Sequence, residues 1–176
     1  MQLPLAVVLA TFTLIGVALP LAFNWAFMSR KDRTEANQTR FENSADLLAK
    51  QTDKSNEFTS ALAKAVRKPK PAIEDIHAVM STGEAYFQTI RVMSQAVLEG
   101  RVTDSARDRD FVPKIADALL KNIPLYYKTL AAKCADYGIP YDGAFRESDY
   151  EGALLVADRH DHETWLKVRP LLESHS

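Results

Sequence analysis

Residues Leu3 to Met28 form a run of 26 positions without one Asp, Glu, Lys, Arg or His, and Arg30-Lys31-Asp32-Arg33 follow almost at once. No other feature constrains the chain as strongly. A helix rising about 1.5 Å per residue needs roughly 20 apolar residues to cross a hydrocarbon core about 30 Å thick. The run is long enough to cross with some tilt. A cleaved signal peptide would show a basic leading region, a core of roughly 7–15 apolar residues and a small-residue cleavage site. Here the core is longer, nothing basic but the amino terminus precedes it, and Leu21-Ala22-Phe23-Asn24-Trp25 offers no small-x-small site. The expectation is a retained transmembrane helix over residues 1–29. Trp25, Phe23 and Phe27 then sit at headgroup level, and Pro20 kinks or loosens the span.

Charge gives an orientation. Arg30, Lys31, Arg33 and Arg40 lie just after the span and no Lys or Arg precedes it. The positive-inside rule places such a single-pass chain in the inner (plasma) membrane with its carboxy-terminal domain in the cytoplasm. The lone Cys134 suits a reducing compartment, and its place on an apolar helical face makes it an inert core thiol. Residues 30–70 carry ten Lys/Arg against six Asp/Glu, a net of +4, whereas residues 71–176 carry twelve against seventeen, a net of −5. A basic stretch beside a bilayer is attracted to anionic membrane lipid by about 1 kcal/mol per well-placed cation. The plainer reading makes those charges topology determinants on a solvated helix face. The acidic distal part argues against nucleic acid as a partner.

Periodicity predicts an all-α fold: a transmembrane helix, a polar helical stalk over 30–70 and a small antiparallel helical bundle over 71–176. No alternating β-branched stretch bounded by turns is present. In the stalk, Phe41, Leu48, Phe58, Leu62 and Ala65 form a seam that Gln51, Thr52 and Ser55 interrupt. Such a seam packs lightly on the domain or pairs two copies as a homodimer. Pro69 and Pro71 end it. The next helix carries Ile73, Ile76, Met80, Gly83, Phe87, Ile90, Ser94 and Val97 on one face, widened by Val79, Tyr86 and Met93, and Gly100 is its natural stop. Gly83 and Ser94 thin the stripe and permit close approach of a neighbouring helix.

A longer helix over about 104–137 presents Phe111, Ile115, Leu119, Ile123, Tyr126, Leu130 and Cys134. Pro113 marks its first turn or a break, and Pro124 kinks it. After a loop at 138–143, two shorter helices are expected at 149–158 and 162–173, the second with Trp165, Val168, Leu171 and Leu172.

Chemical motifs are sparse. The chain has no glycine-rich phosphate loop, paired-cysteine metal site, nucleophile elbow or dinucleotide fingerprint, so no catalytic residue and no cofactor is assigned. Asp158-Arg159-His160-Asp161-His162-Glu163 could supply metal ligands through His160, His162 and Glu163. Two ligands on one helix face require an i, i+4 separation, which the histidines lack. The plainer reading ends one helix at Asp158 and caps the next with Asp161. His77 is expected as a partly buried bundle residue and His175 in a fraying terminus. Tyr126, Tyr127, Tyr137 and Tyr141, with Tyr150, cluster around the kinked helix and its loop. A groove lined by them suits a partner helix or a small apolar ligand, against the plainer reading of core and boundary packing. Arg91 and Arg101 are expected in surface ion pairs.

Glu84-Ala85-Tyr86-Phe87, Leu98-Glu99-Gly100, Pro124-Leu125-Tyr126-Tyr127 and the late Trp165, set after an anchor and a polar helix, give most of the chain a pattern. It resembles a bacterial family of small single-pass membrane proteins whose function is uncharacterised. The resemblance implies a helical cytoplasmic domain and assigns no functional residue. The expected role is a non-catalytic membrane-anchored interaction protein, an accessory or regulatory subunit with membrane-protein partners. The alternative is a metal- or small-ligand-binding helical domain tethered to the membrane.

Overall fold

A computed structural model describes the backbone of residues 5–173 and the side chains of residues 29–172. Five helices follow one another: α1 (Leu5–Arg67), α2 (Ile73–Leu98), α3 (104–135), α4 (Glu147–His160) and α5 (His162–Glu173), with no strand among the described residues. Among the described residues no helix is long and apolar enough to cross a membrane. The side chains of the expected anchor, Pro20 included, lie outside the described residues, as does His175.

The chain divides into two units, Met1–Arg40 and Phe41–Ser176. In the first, residues 30–40 are exposed on every side of the helix. The Thr34 and Thr39 hydroxyls donate to the carbonyls of Arg30 and Glu35, and Lys31 faces Glu35 at 3.7 Å.

The second unit is a helical bundle, and the second half of the expected stalk belongs to it. Phe58, Leu62 and Ala65 are buried, together with Ser44 and Gln51. Of the three polar residues that interrupt the seam in sequence, Gln51 is buried within it, Ser55 is partly buried and Thr52 is exposed. Ser44 Oγ accepts the Thr103 N–H at 3.3 Å, and Thr103 in turn caps α3 by accepting from Ala106 N. The seam is covered by the chain's own bundle, while Phe41 stays 66% exposed.

Phe58 anchors the core. Its ring stacks on Tyr86 at 5.4 Å and 8° and meets Phe87 edge-on at 5.6 Å. Tyr126 sits 6.0 Å from Phe58 and 5.0 Å from Phe87 in a T-shaped contact. Phe87 also meets Tyr150 edge-on, and Tyr150 meets Phe145. Such pairs add about 0.5–1.5 kcal/mol each beyond area burial.

The α2 face centres on Ile76, Val79, Gly83, Tyr86, Phe87, Ile90, Met93, Ser94 and Val97. Ile73 and Met80, expected on that face, are exposed because the buried arc is rotated toward Val79, Tyr86 and Met93. His77 is exposed rather than partly buried. Gly100 ends the helix at φ +66°, with Arg101 N–H reaching Ala96 O at 2.9 Å and Gly100 N–H reaching Val97 O at 3.1 Å. Only a residue without Cβ takes this left-handed turn freely. Gly138 closes α3 in the same way.

α3 runs unbroken through both prolines. Two π turns, Arg107–Phe111 and Ala118–Asn122, each stand just before one of them. Val112 N–H reaches back to Arg107 O and Ile123 N–H to Ala118 O. A proline ring clashes with the carbonyl four residues earlier and removes one helical bond. The wider turn accommodates that conflict locally, so Pro113 and Pro124 are interior rather than terminal.

The α1–α2 connection is held by Asp75, whose side chain is 5% exposed. Its carboxylate accepts from Lys64 at 2.8 Å, Lys68 at 2.6 Å and the Ala72 N–H at 3.1 Å. The Lys64 and then the Lys68 ammonium hold its pKa far below the usual carboxylate range, against the opposing effect of burial. Lys133 Nζ donates to Lys68 O and Pro69 O at 3.1 Å each, and Tyr137 donates to Pro71 O. The proline linker is thus pinned from the end of α3.

Two outcomes follow for stability. A Cβ at Gly83 would lie 2.5 Å from Tyr126 Cε2 and 2.9 Å from Cδ2, so Gly83→Ala is expected to cost about 1–3 kcal/mol in denaturant titration. Adding Tyr126→Leu should then cost less than it does in the parent chain; strict additivity would refute the contact as the cause. Asp75→Asn should lower the thermal midpoint at neutral pH. The carboxylate's contribution is complete above its unfolded pKa near 3.9 and drains away below it. The gap between parent and variant must therefore narrow in melts taken below about pH 4.

Candidate functional site

Helical spacing on α3 brings Pro124, Tyr127, Lys128 and Ala131 to one face, at intervals of three and four. They line an open, largely apolar groove of about 330 Å³ with Gly143, Phe145 and Leu171. Three elements build it: α3, the segment 139–146 before α4, and α5.

Local chemistry fixes its walls. Tyr127 packs edge-on against Tyr126 at 5.1 Å, and its hydroxyl meets that of Tyr150 at 3.3 Å. Tyr150 takes a non-helical conformation, φ −132° and ψ 19°, inside α4. Arg91 holds this corner by donating to Asp149 O at 3.0 Å and lying over the Tyr150 ring at 5.5 Å. Gly143 has no side chain because Tyr141 folds over it; a Cβ there would overlap the phenol. Phe145 is buried against Tyr150.

Burial raises the pKa of Tyr126, Tyr127, Tyr141 and Tyr150 above the ordinary phenol value. Phenols held neutral and apolar rings offer no base or nucleophile near pH 7. The groove can hold an apolar side chain, and Lys128 can present its ammonium at the edge while its stem covers apolar surface.

The expected tyrosine set is divided among different tasks. Tyr127 lines the groove. Tyr126 is 3% exposed and belongs to the core. Tyr137 clamps Pro71 and carries Lys70 over its ring at 4.8 Å, and Tyr141 packs over Gly143. Pro124, Ala131, Phe145 and Leu171 complete the groove, and none of them was assigned to it from the sequence; the spacing of Pro124, Tyr127 and Ala131 carried the signal for the α3 wall.

The 158–163 segment resolves as a helix junction. Asp161 caps α5, accepting the Thr164 N–H at 3.2 Å and the Thr164 hydroxyl at 2.6 Å. His160, His162 and Glu163 are exposed. His162 Nδ1 lies 3.4 Å from Asp158, and Glu163 pairs with Lys167 at 2.6 Å. Among the described residues no group of three or more His, Cys, Asp or Glu is placed to hold a metal ion. Cys134 is buried.

No family model, no curated protein and no solved structure matches the chain.

The raised phenols set an alkaline limit. A tyrosine whose folded pKa exceeds its unfolded value near 10 stabilises the fold fully below that pH and loses the contribution as pH rises through the folded pKa. Five of the six tyrosines are in this class, Tyr86 included. Ultraviolet titration should therefore show most phenolate appearing in one step, together with loss of helical circular dichroism. Independent phenol titration with the helices intact would contradict the burial described.

Proposed function

We propose that this chain is a membrane-anchored, non-catalytic interaction protein, an accessory or regulatory component of a larger membrane assembly. The observation that carries the reading is the 26-residue uncharged run at Leu3–Met28, followed at once by a cationic cluster. Its length suits a single span, and the cations favour a cytoplasmic bundle. The apolar groove supports the second half of the reading. It offers aromatic and aliphatic walls without a reactive group, which suits an amphipathic partner helix inserting one or two apolar side chains. Scattered exposed side chains such as Leu125 and Leu166 are ordinary surface by themselves.

Extraction of the tagged protein in mild detergent should retain a defined set of membrane proteins in stoichiometric amounts. Ala131→Glu, which puts a carboxylate in the apolar groove, should strip those partners while leaving the helical spectrum intact. A monodisperse, partner-free species from native membranes would overturn the reading. A carboxy-terminal reporter active only outside the cytoplasm would overturn its orientation.

A further inference from the structure

Charge divides the surface of α1 over residues 30–40. Arg30, Arg33, Asn37 and Arg40 recur at intervals of three and four, which sets them in one row along the helix. Asp32, Glu35 and Thr39 form a second row, two positions on and so about 200° round the helix. Lys31 stands beside that second row, 3.7 Å from Glu35. The acids are thus gathered on one side, and none stands in the arginine row. The Arg30 and Arg33 guanidinium groups have no ion-pair partner among the described residues. Every side chain of the row is exposed.

The kind of cation carries more information than the charge. Membrane topology needs Lys or Arg and is indifferent to which. All three cations of the row are arginines, whereas Lys31 lies off it. Arginine grips a carboxylate or a phosphate through two parallel hydrogen bonds, which lysine does not. Two occupants have the matching charge, lipid phosphates and protein carboxylates, and geometry separates them. From Arg30 to Arg40 the row climbs about 15 Å, and α1 runs without a break from Leu5 through it. The polar layer on either side of a hydrocarbon core is only about 5–7 Å deep. Headgroups therefore reach the first turn of the row and not its end. A helix lying alongside α1 reaches all of it, and the Asn37 amide offers that helix both a donor and an acceptor.

Building on the membrane-anchored role proposed for the chain, we infer that the arginine row of residues 30–40 docks an acidic helix of a partner membrane protein. That helix carries Asp or Glu at intervals of three and four just beyond its own span. The contact is separate from the apolar groove and names the chemistry of one partner in the assembly.

The test compares three full-length proteins in native membranes and after mild extraction: the parent, the Arg30→Gln, Arg33→Gln double variant and the Arg30→Lys, Arg33→Lys double variant. Removing both charges should lower recovery of one stoichiometric membrane protein about 10- to 100-fold, and the lysine variant should keep part of it. The lysine variant also brings a primary amine to each position. A carbodiimide then condenses that amine with a carboxylate in contact, forming an amide while the water lost passes to the carbodiimide as a urea. Cross-linked peptides absent from the parent should join positions 30 and 33 to Asp or Glu of the same membrane protein. Links only to Asp32, Glu35 or a second copy of this chain would overturn the inference. So would undiminished recovery in the glutamine variant, the result expected if lipid headgroups occupy the row; the assembly role then stands provided Ala131→Glu still strips the partners. A loss of partner accompanied by relocation of a carboxy-terminal reporter would trace the effect to topology and count equally against docking. A parent protein that retains no partner would overturn the assembly role and the docking row together.

Discussion

The contact between the Phe58 ring and the rings of Tyr86, Phe87 and Tyr126 joins three helices at one point. Phe58 comes from a segment otherwise rich in Glu, Gln, Lys, Ser and Thr. Its complete burial is what draws residues 41–67 into the bundle. Burying such a ring and then deleting it typically costs about 3–5 kcal/mol, a large share of a small domain's stability. The rest of the architecture hangs on where these rings meet. Gly83 has no Cβ where Tyr126 crosses α2. Tyr126 then places Tyr127, its neighbour in sequence, against Tyr150, and the groove wall follows from that register.

How much of this the sequence carried depends on whether the relevant partner was local. The stop at Gly100, the cap at Asp161, the burial of Cys134 and the close approach at Gly83 all rest on short-range rules, and each appears in the structure. The seam of α1 was harder to read. Gln51 looks like an interruption because a polar residue on an apolar face is ordinarily exposed, and nothing local marks Ser44 as buried. Ser44 is instead satisfied by the Thr103 N–H, 59 positions away, which no local window contains. The division of the tyrosines was hard to read for a similar reason. Whether a phenol lines a groove, fills a core or clamps a linker depends on helix phase and on the path of residues 139–146.

The phase of α3 was partly visible. Phe111, Ile115, Leu119 and Ile123 recur at a constant four, wider than the 3.6 residues of an α-helical turn. An apolar stripe kept at that spacing drifts around a regular helix unless an extra residue is absorbed. The π turn at Ala118–Asn122 absorbs it, and all four side chains stay buried. Proline and stripe therefore carry the same message: one removes an α-helical hydrogen bond where the other needs a wider turn.

That inserted residue also decides how many surfaces α3 can offer. Asp110, Lys114, Asp117, Lys121, Pro124, Lys128 and Ala131 are spaced at threes and fours, so an unbroken α-helix would align them as one stripe. An extra residue in the π turn rotates everything after it by about 100° relative to that stripe. The part before the turn keeps Asp110, Lys114 and Asp117 on a polar cleft with Gln51 and Tyr86. The part after it sends Pro124, Lys128 and Ala131 to the apolar groove with Phe145 and Leu171. Both sections still bury the same aliphatic stripe. A polar and an apolar surface are thereby built from one continuous helix, at the expense of a single irregular turn.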